Sequence, residues 1–186
     1  MESTLVIGRS TLGIRLGAVV VGAVLVALAA QVAVPLPGTP VPMTLQPMAV
    51  LLVGGLLGAR LGALSMILYL AMGAAGLPVF TPTVPLVGVA RLFGPTGGYL
   101  LAYPVAAWAV GTVVREGSSV WPVACGVLAG LVLIHLGGLA QLAILTGSIS
   151  GAARLATWPF LLGDLLKLVI LVPVLTRLTP TIRARL

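Results

Sequence analysis

Charge is scarce in this sequence. Only 7% of its 186 residues are charged, where a soluble domain carries about 25%, and 60% are hydrophobic. A surface so poor in charge cannot be held in water, so the bilayer must be the solvent for most of the chain. A mean hydropathy of +1.23 agrees. Cysteine is almost absent: a lone Cys125, inside an apolar run, excludes an internal disulfide and reads as a small core residue. Histidine occurs once, as His135, and acidic residues number three, which leaves no cluster of metal-ligand type. His135 reads as a packed or hydrogen-bonded helix residue. No nucleophile, base and orienting group stand together, so no enzyme and no cofactor are expected. A Walker motif is lacking too, so the chain does not itself hydrolyse ATP.

Basic residues are the exception, giving a net charge of +7. Aromatics are not interleaved with them, which argues against nucleic acid. Arginines flanking membrane spans on the cytoplasmic side explain the excess instead. The chain reads as one membrane domain, 1–186.

The first apolar run covers residues 12–34. At some 20 residues it can cross a ~30 Å hydrocarbon core, which a signal peptide's shorter apolar region could not. Pro35, Pro37, Pro40 and Pro42 then form a helix-hostile connection. Short helices follow at 47–58, with Pro47 in its first turn, and at 61–75, with a turn at Gly58-Ala59-Arg60. The loop from Gly76 to Pro95 is long and apolar, as a segment folded over a site would be. Further spans are expected at 96–114, 121–145 and 158–178, the last ending before Pro180; Gly147 to Arg154 reads as a small-residue connection. The fold class is therefore all-α, a polytopic membrane protein with six transmembrane helices and both termini cytoplasmic. In that topology Arg9, Arg15, Arg60, Arg115, Arg177, Arg183 and Arg185 lie inside, and Arg91 and Arg154 outside, as the positive-inside rule requires.

Asp164 and Lys167 are the two charges inside a predicted span. Spacing i, i+3 puts them on one helix face, and each costs roughly 2.5–3.5 kcal/mol near a bilayer centre. Either they form an ion pair that pins helix packing, or they face a cavity and hold a polar ligand. They sit in the outer half of the last helix, which suits a site loaded from outside. Arg91 is a headgroup anchor or a cation for a substrate anion. Four residues on, Pro95-Thr96-Gly97-Gly98-Tyr99 opens a helix whose free N–H groups and dipole favour an anion. Gly97 and Gly98 allow either close ligand approach or close helix packing. The first helix carries small residues four apart: Gly13 and Gly17, Ala18 and Gly22, Ala23 and Ala27, Ala29 and Ala33. Such a ridge serves internal packing or a partner subunit.

Four segments together resemble the BioY family, biotin-binding S components of energy-coupling factor (ECF) transporters. They are Pro42-Met43-Thr44-Leu45-Gln46, Gly76-Leu77-Pro78-Val79-Phe80, Phe93-Gly94-Pro95-Thr96-Gly97-Gly98-Tyr99-Leu100 and Pro159-Phe160-Leu161-Leu162-Gly163-Asp164-Leu165-Leu166-Lys167. The similarity runs from about residue 12 to 178. It implies a six-helix membrane fold in the cell membrane that takes up biotin near the outer face. It implies that Arg91, Asp164 and Lys167 contact biotin, with the Thr96–Tyr99 turn beside them. It implies as partners a membrane scaffold subunit and ATPase subunits, docked through small residues of the first helix, here Gly13, Gly17, Ala18, Gly22, Ala23 and Ala27. The loop between Phe80 and Arg91 holds no Asn, where the resemblance leads one to expect a side-chain amide; Thr81 or Thr83 could substitute. Biotin's chemistry fits: Asp164 can accept from the ureido N–H groups, Arg91 or Lys167 can neutralise the carboxylate, and Phe80 can cover the rings. An S component for another vitamin is the alternative, and a membrane scaffold or enzyme a third.

Overall fold

The computed structural model describes residues 2–186, with side chains from residue 12 onward. Arg9 therefore lies outside the described side chains. The elements are α1 (Glu2–Gln31), β1 (Ala33–Val34), β2 (Met43–Thr44), α2 (Gln46–Ala74), α3 (Ala90–Phe93), α4 (Gly97–Val113), α5 (Val120–Thr146), α6 (Ile149–Ala156), a 3-10 turn (Trp158–Phe160) and α7 (Leu161–Arg183). Four helical stretches, Leu12–Gln31, Gln46–Ala74, Val120–Thr146 and Ile149–Arg183, are long and apolar enough to cross a membrane. α4 is apolar and shorter.

α2 is two limbs. Gly58 has φ 82° and ψ 173°, a conformation that strains any residue with a Cβ. Across it the helix turns back on itself. Gln46 Nε2 donates to the Tyr69 hydroxyl at 2.5 Å, yet 23 residues of straight helix would separate them by about 34 Å. The limbs touch closely enough that a Cβ on Gly62 would lie 2.8 Å from Gly54 Cα. The expected break at Gly58 is thus real, and it is a tight one.

Counting each limb of α2, six of the longer helical segments make up the bundle. α4 lies between α2 and α5, α1 packs mainly on α2, and α7 closes against α2 and α5. The C-terminus reaches α1, since Arg15 Nε donates to the Leu186 carbonyl at 2.7 Å. Arg183 is at this end too. Its Nη2 donates to the carbonyls of Gly55 (2.7 Å) and Gly111 (3.3 Å), last-turn groups that their own helices leave without a partner. Asp164 stands 19 residues up α7, about 28 Å away.

Several sequence expectations need correcting. The connection after α1 is not wholly irregular: Ala33 pairs with Thr44 and Val34 with Met43 in a short antiparallel ladder. The 147–154 connection contains α6, capped by the Ser148 hydroxyl, which accepts from Gly151 N–H at 3.1 Å. Its Gly, Ala and Ser residues hid a helix that buries only Ala152 and Ala156. The last helix does not stop at Pro180 but continues to Arg183. A proline costs a helix one hydrogen bond, and near a free end that loss is small. Cys125 is exposed, not core. α5 turns Val123, Val127, Gly130 and Leu131 inward, and Cys125 falls on the opposite side. The ridge on α1 divides. Gly22 and Ala23 are buried, and a Cβ on Gly22 would meet Ser65 and Val53 of α2, so these two are internal packing positions. Ala27 is half-buried against the same core. Gly13 and Gly17 are exposed with open space beside them, and Ala18 is half-buried.

Candidate functional site

Helix ends converge opposite the C-terminus, and a cavity lies between them. The β1–β2 hairpin and the start of α2 supply Val41, Pro42, Thr44 and Gln46. The 76–95 loop supplies Phe80, Thr81 and Arg91, and α4 supplies Thr96, Tyr99 and Tyr103. α5 supplies Ile134 and His135, and α7 Asp164 and Lys167. The cavity itself is small, about 50 Å³.

The loop covers the cavity because its first and last residues are anchored. Gly76, at φ 92°, ends α2 and lets Leu77 N–H reach back to the Met72 carbonyl at 3.1 Å. Phe80 then packs edge-on to Tyr69, ring centroids 5.4 Å apart, in space that any side chain at Gly73 would fill. Arg91 secures the far end. Nη1 donates to the carbonyls of Val84 (2.5 Å) and Leu86 (3.1 Å), and Nη2 to Thr81 (2.6 Å). Arg91 is only 1% exposed, and among the described residues its Nε finds no partner. Burial lowers its pKa from the usual arginine value, but a guanidinium stays charged in proteins. Thr96 Oγ1 is likewise buried and unpaired on the same cavity wall.

On the opposite wall Asp164 begins α7, where the helix dipole favours a carboxylate. Its Oδ1 accepts from Lys167 Nζ at 2.8 Å and its Oδ2 lies 2.5 Å from His135 Nε2. Tyr99 donates its hydroxyl to the Ala156 carbonyl at 2.6 Å. Asp164 and Lys167 are thus an ion pair and cavity-facing at once.

Of the residues singled out in the sequence, Phe80, Arg91, Thr96, Tyr99, Asp164 and Lys167 meet here. Gly97 and Gly98 do not line the cavity. A Cβ on Gly97 would strike the Leu92 carbonyl and Gln141, and one on Gly98 the Gly137 carbonyl of α5. Close packing, the other reading of these glycines, is what the structure uses. Lining residues that the sequence reading did not assign to the site include Gln46, Tyr103 and His135. Gln46 bears the side-chain amide that the 81–90 loop lacks, held by Thr44 Oγ1 at 3.2 Å and by Tyr69. Its place at the head of the Pro47 helix was the available signal.

Comparison with known proteins gives a consistent picture. Residues 8–184 match the sequence profile of the BioY family. The chain is 37% identical over 155 residues to a biotin transporter BioY of Thermotoga maritima, covering 83% of this chain and 89% of that one. It is 38% identical over 128 residues to a probable biotin transporter BioY of Pyrococcus horikoshii, covering 67% and 72%. A crystal structure of the S-component for biotin from an ECF-type ABC transporter superposes with a TM-score of 0.78 at 25% identity, covering 88% of this chain and 89% of that chain.

Proposed function

The chain belongs to the BioY family, and from that premise we propose that it is the substrate-capture (S) subunit of an ECF transporter, an integral membrane protein for biotin uptake. The observation that carries this reading is the pairing of walls in the cavity. One wall offers a buried guanidinium with an unused Nε–H, the other a carboxylate with lone pairs to spare, and aromatic and aliphatic side chains lie between. Biotin has the complementary order: a carboxylate, an apolar chain and thioether ring, and a ureido group with two N–H donors. In this assignment Asp164 accepts from the ureido group, Arg91 and Lys167 compete for the carboxylate, and Phe80 covers the rings. Arg91 Nε with Nη2 forms the guanidinium edge suited to a carboxylate, which favours Arg91. Thr96 Oγ1 is a further free partner, and the Gln46 amide stands where a ureido oxygen can be met.

The proposed topology has six membrane passages with both termini cytoplasmic. Support comes from the six longer helical segments of the bundle and from the clustering of Arg15, Arg60, Arg115, Arg177, Arg183 and Arg185 toward one end, with Arg91 and Arg154 toward the other. The cavity then opens outward. A membrane scaffold subunit and ATPase subunits supply the energy, docking on the open face of α1 around Gly13 and Gly17. Lipid covers the remaining apolar surface.

Equilibrium binding of labelled biotin to the purified chain, with thiamine and riboflavin as competitors, tests the proposal. Saturable binding displaced by biotin alone is expected. A folded sample that binds no biotin, or that yields it to thiamine or riboflavin, overturns it.

A further inference from the structure

The sole histidine is wedged between two acceptors. His135 Nε2 lies 2.5 Å from Asp164 Oδ2, and Nδ1 lies 3.2 Å from the Ala156 carbonyl oxygen. A carbonyl only accepts. A carboxylate that also takes the Lys167 ammonium at 2.8 Å accepts as well. Neutral imidazole has one N–H and one lone pair, so it satisfies one neighbour and sets lone pair against lone pair at the other. The imidazolium satisfies both. Solvent has little room to intervene, because the His135 side chain is 17% exposed. On the side away from the cavity, an apolar groove between α5 and α7, walled by Leu136 and Leu165 among others, backs the pair. An unpaired charge there would be costly.

The groups facing His135 can be named element by element. From α7 come Asp164 and Lys167; from the 3-10 turn, the uncharged Phe160 ring, centroid 6.3 Å away. From α4 comes Tyr99, edge-on at 6.2 Å, whose hydroxyl donates to the same Ala156 carbonyl. Tyr103 and Arg91 line the same cavity.

We propose that His135 is a positioning residue for the ligand. Held as an imidazolium, it ties Asp164 of α7 to α5 and to the end of α6, and so aims the remaining carboxylate lone pairs into the cavity. This rests on the biotin reading. Arg91, Lys167 and His135 against Asp164 leave the cavity with surplus positive charge, part of which a monoanionic carboxylate ligand cancels. Deprotonation of His135 removes one hydrogen bond and one positive charge together. Loss of that bond and that charge weakens biotin binding.

Because the chain has one histidine, ¹⁵N-histidine labelling of full-length protein carrying a histidine-free tag reports this ring alone. In the ligand-free wild type, both ring nitrogens are expected to be protonated at mildly acid pH, and Asp164→Asn is expected to abolish that state there. Biotin binding by His135→Gln, which keeps one donor nitrogen and loses the charge, is expected to be weaker by about 10- to 100-fold at mildly acid pH. A neutral imidazole in the wild type at mildly acid pH overturns the proposal without any variant. So does a His135→Gln protein with wild-type affinity. A wild type that shows the doubly protonated ring yet binds no biotin keeps His135 as the holder of Asp164 and removes the biotin assignment instead.

Discussion

Replacing Arg91 by lysine keeps a positive charge and removes the planar fork, which separates the two tasks assigned to this residue. Arg91 reaches three carbonyls of one loop, those of Thr81, Val84 and Leu86, through two different nitrogens. A lysine ammonium gathers its donors on one atom and is expected to keep one of the three. At roughly 1.5–3 kcal/mol for each hydrogen bond to a charged group, two lost bonds amount to roughly 3–6 kcal/mol of loop anchoring. The loop lies at the mouth of the cavity, where freed carbonyls can turn to water and recover about half. What remains is about 1.5–3 kcal/mol, a loss of about 10- to 100-fold in biotin affinity. Equilibrium binding reads the affinity, and hydrogen exchange reads the loop. Amides of residues 81–89 should exchange faster in Arg91→Lys while α4 and α5 stay protected. Wild-type affinity with unchanged exchange would refute the view that Arg91 fastens the loop over the ligand.

Asp164→Asn should weaken biotin binding by at least about tenfold while the protein remains folded and monodisperse, since His135 and Lys167 lose their shared anion; an aggregated variant would favour a purely structural ion pair. Comparing biotin with a carboxylate-blocked analogue in Arg91→Ala and Lys167→Ala shows which cation holds the carboxylate, and the free Nε predicts that Arg91→Ala narrows the difference between the two ligands more. Gly98→Ala should lower Tm, with overpacking of about 1–3 kcal/mol, and leave the biotin affinity of the folded fraction unchanged, because the added methyl meets Gly137 outside the cavity. A lowered affinity there would put Gly98 back in the site.

The charges that define the site were legible because the surroundings are apolar. Asp164, Lys167 and Arg91 each break a hydrophobic stretch, and their cost demands a partner. The Gly58 turn was legible for a similar local reason, two apolar runs too short to span singly, with glycine at the join. His135 was not. It sits 29 residues before Asp164, and the bond between them exists only because α5 and α7 lie side by side. Gln46 reaches Tyr69 across a hairpin whose register one sequence does not reveal. Gly97 and Gly98 had two local readings, and only the position of α5 decides between them. α6 has small residues and little burial, so its periodicity carried almost no hydrophobic signal.

The most direct measurement is an experimental structure of the chain with biotin bound. The account predicts biotin between the two walls, its ureido N–H groups within hydrogen-bond distance of Asp164 and its carboxylate on Arg91 Nε or Lys167 Nζ. Biotin bound elsewhere, or seated here with its carboxylate against Asp164, would contradict it.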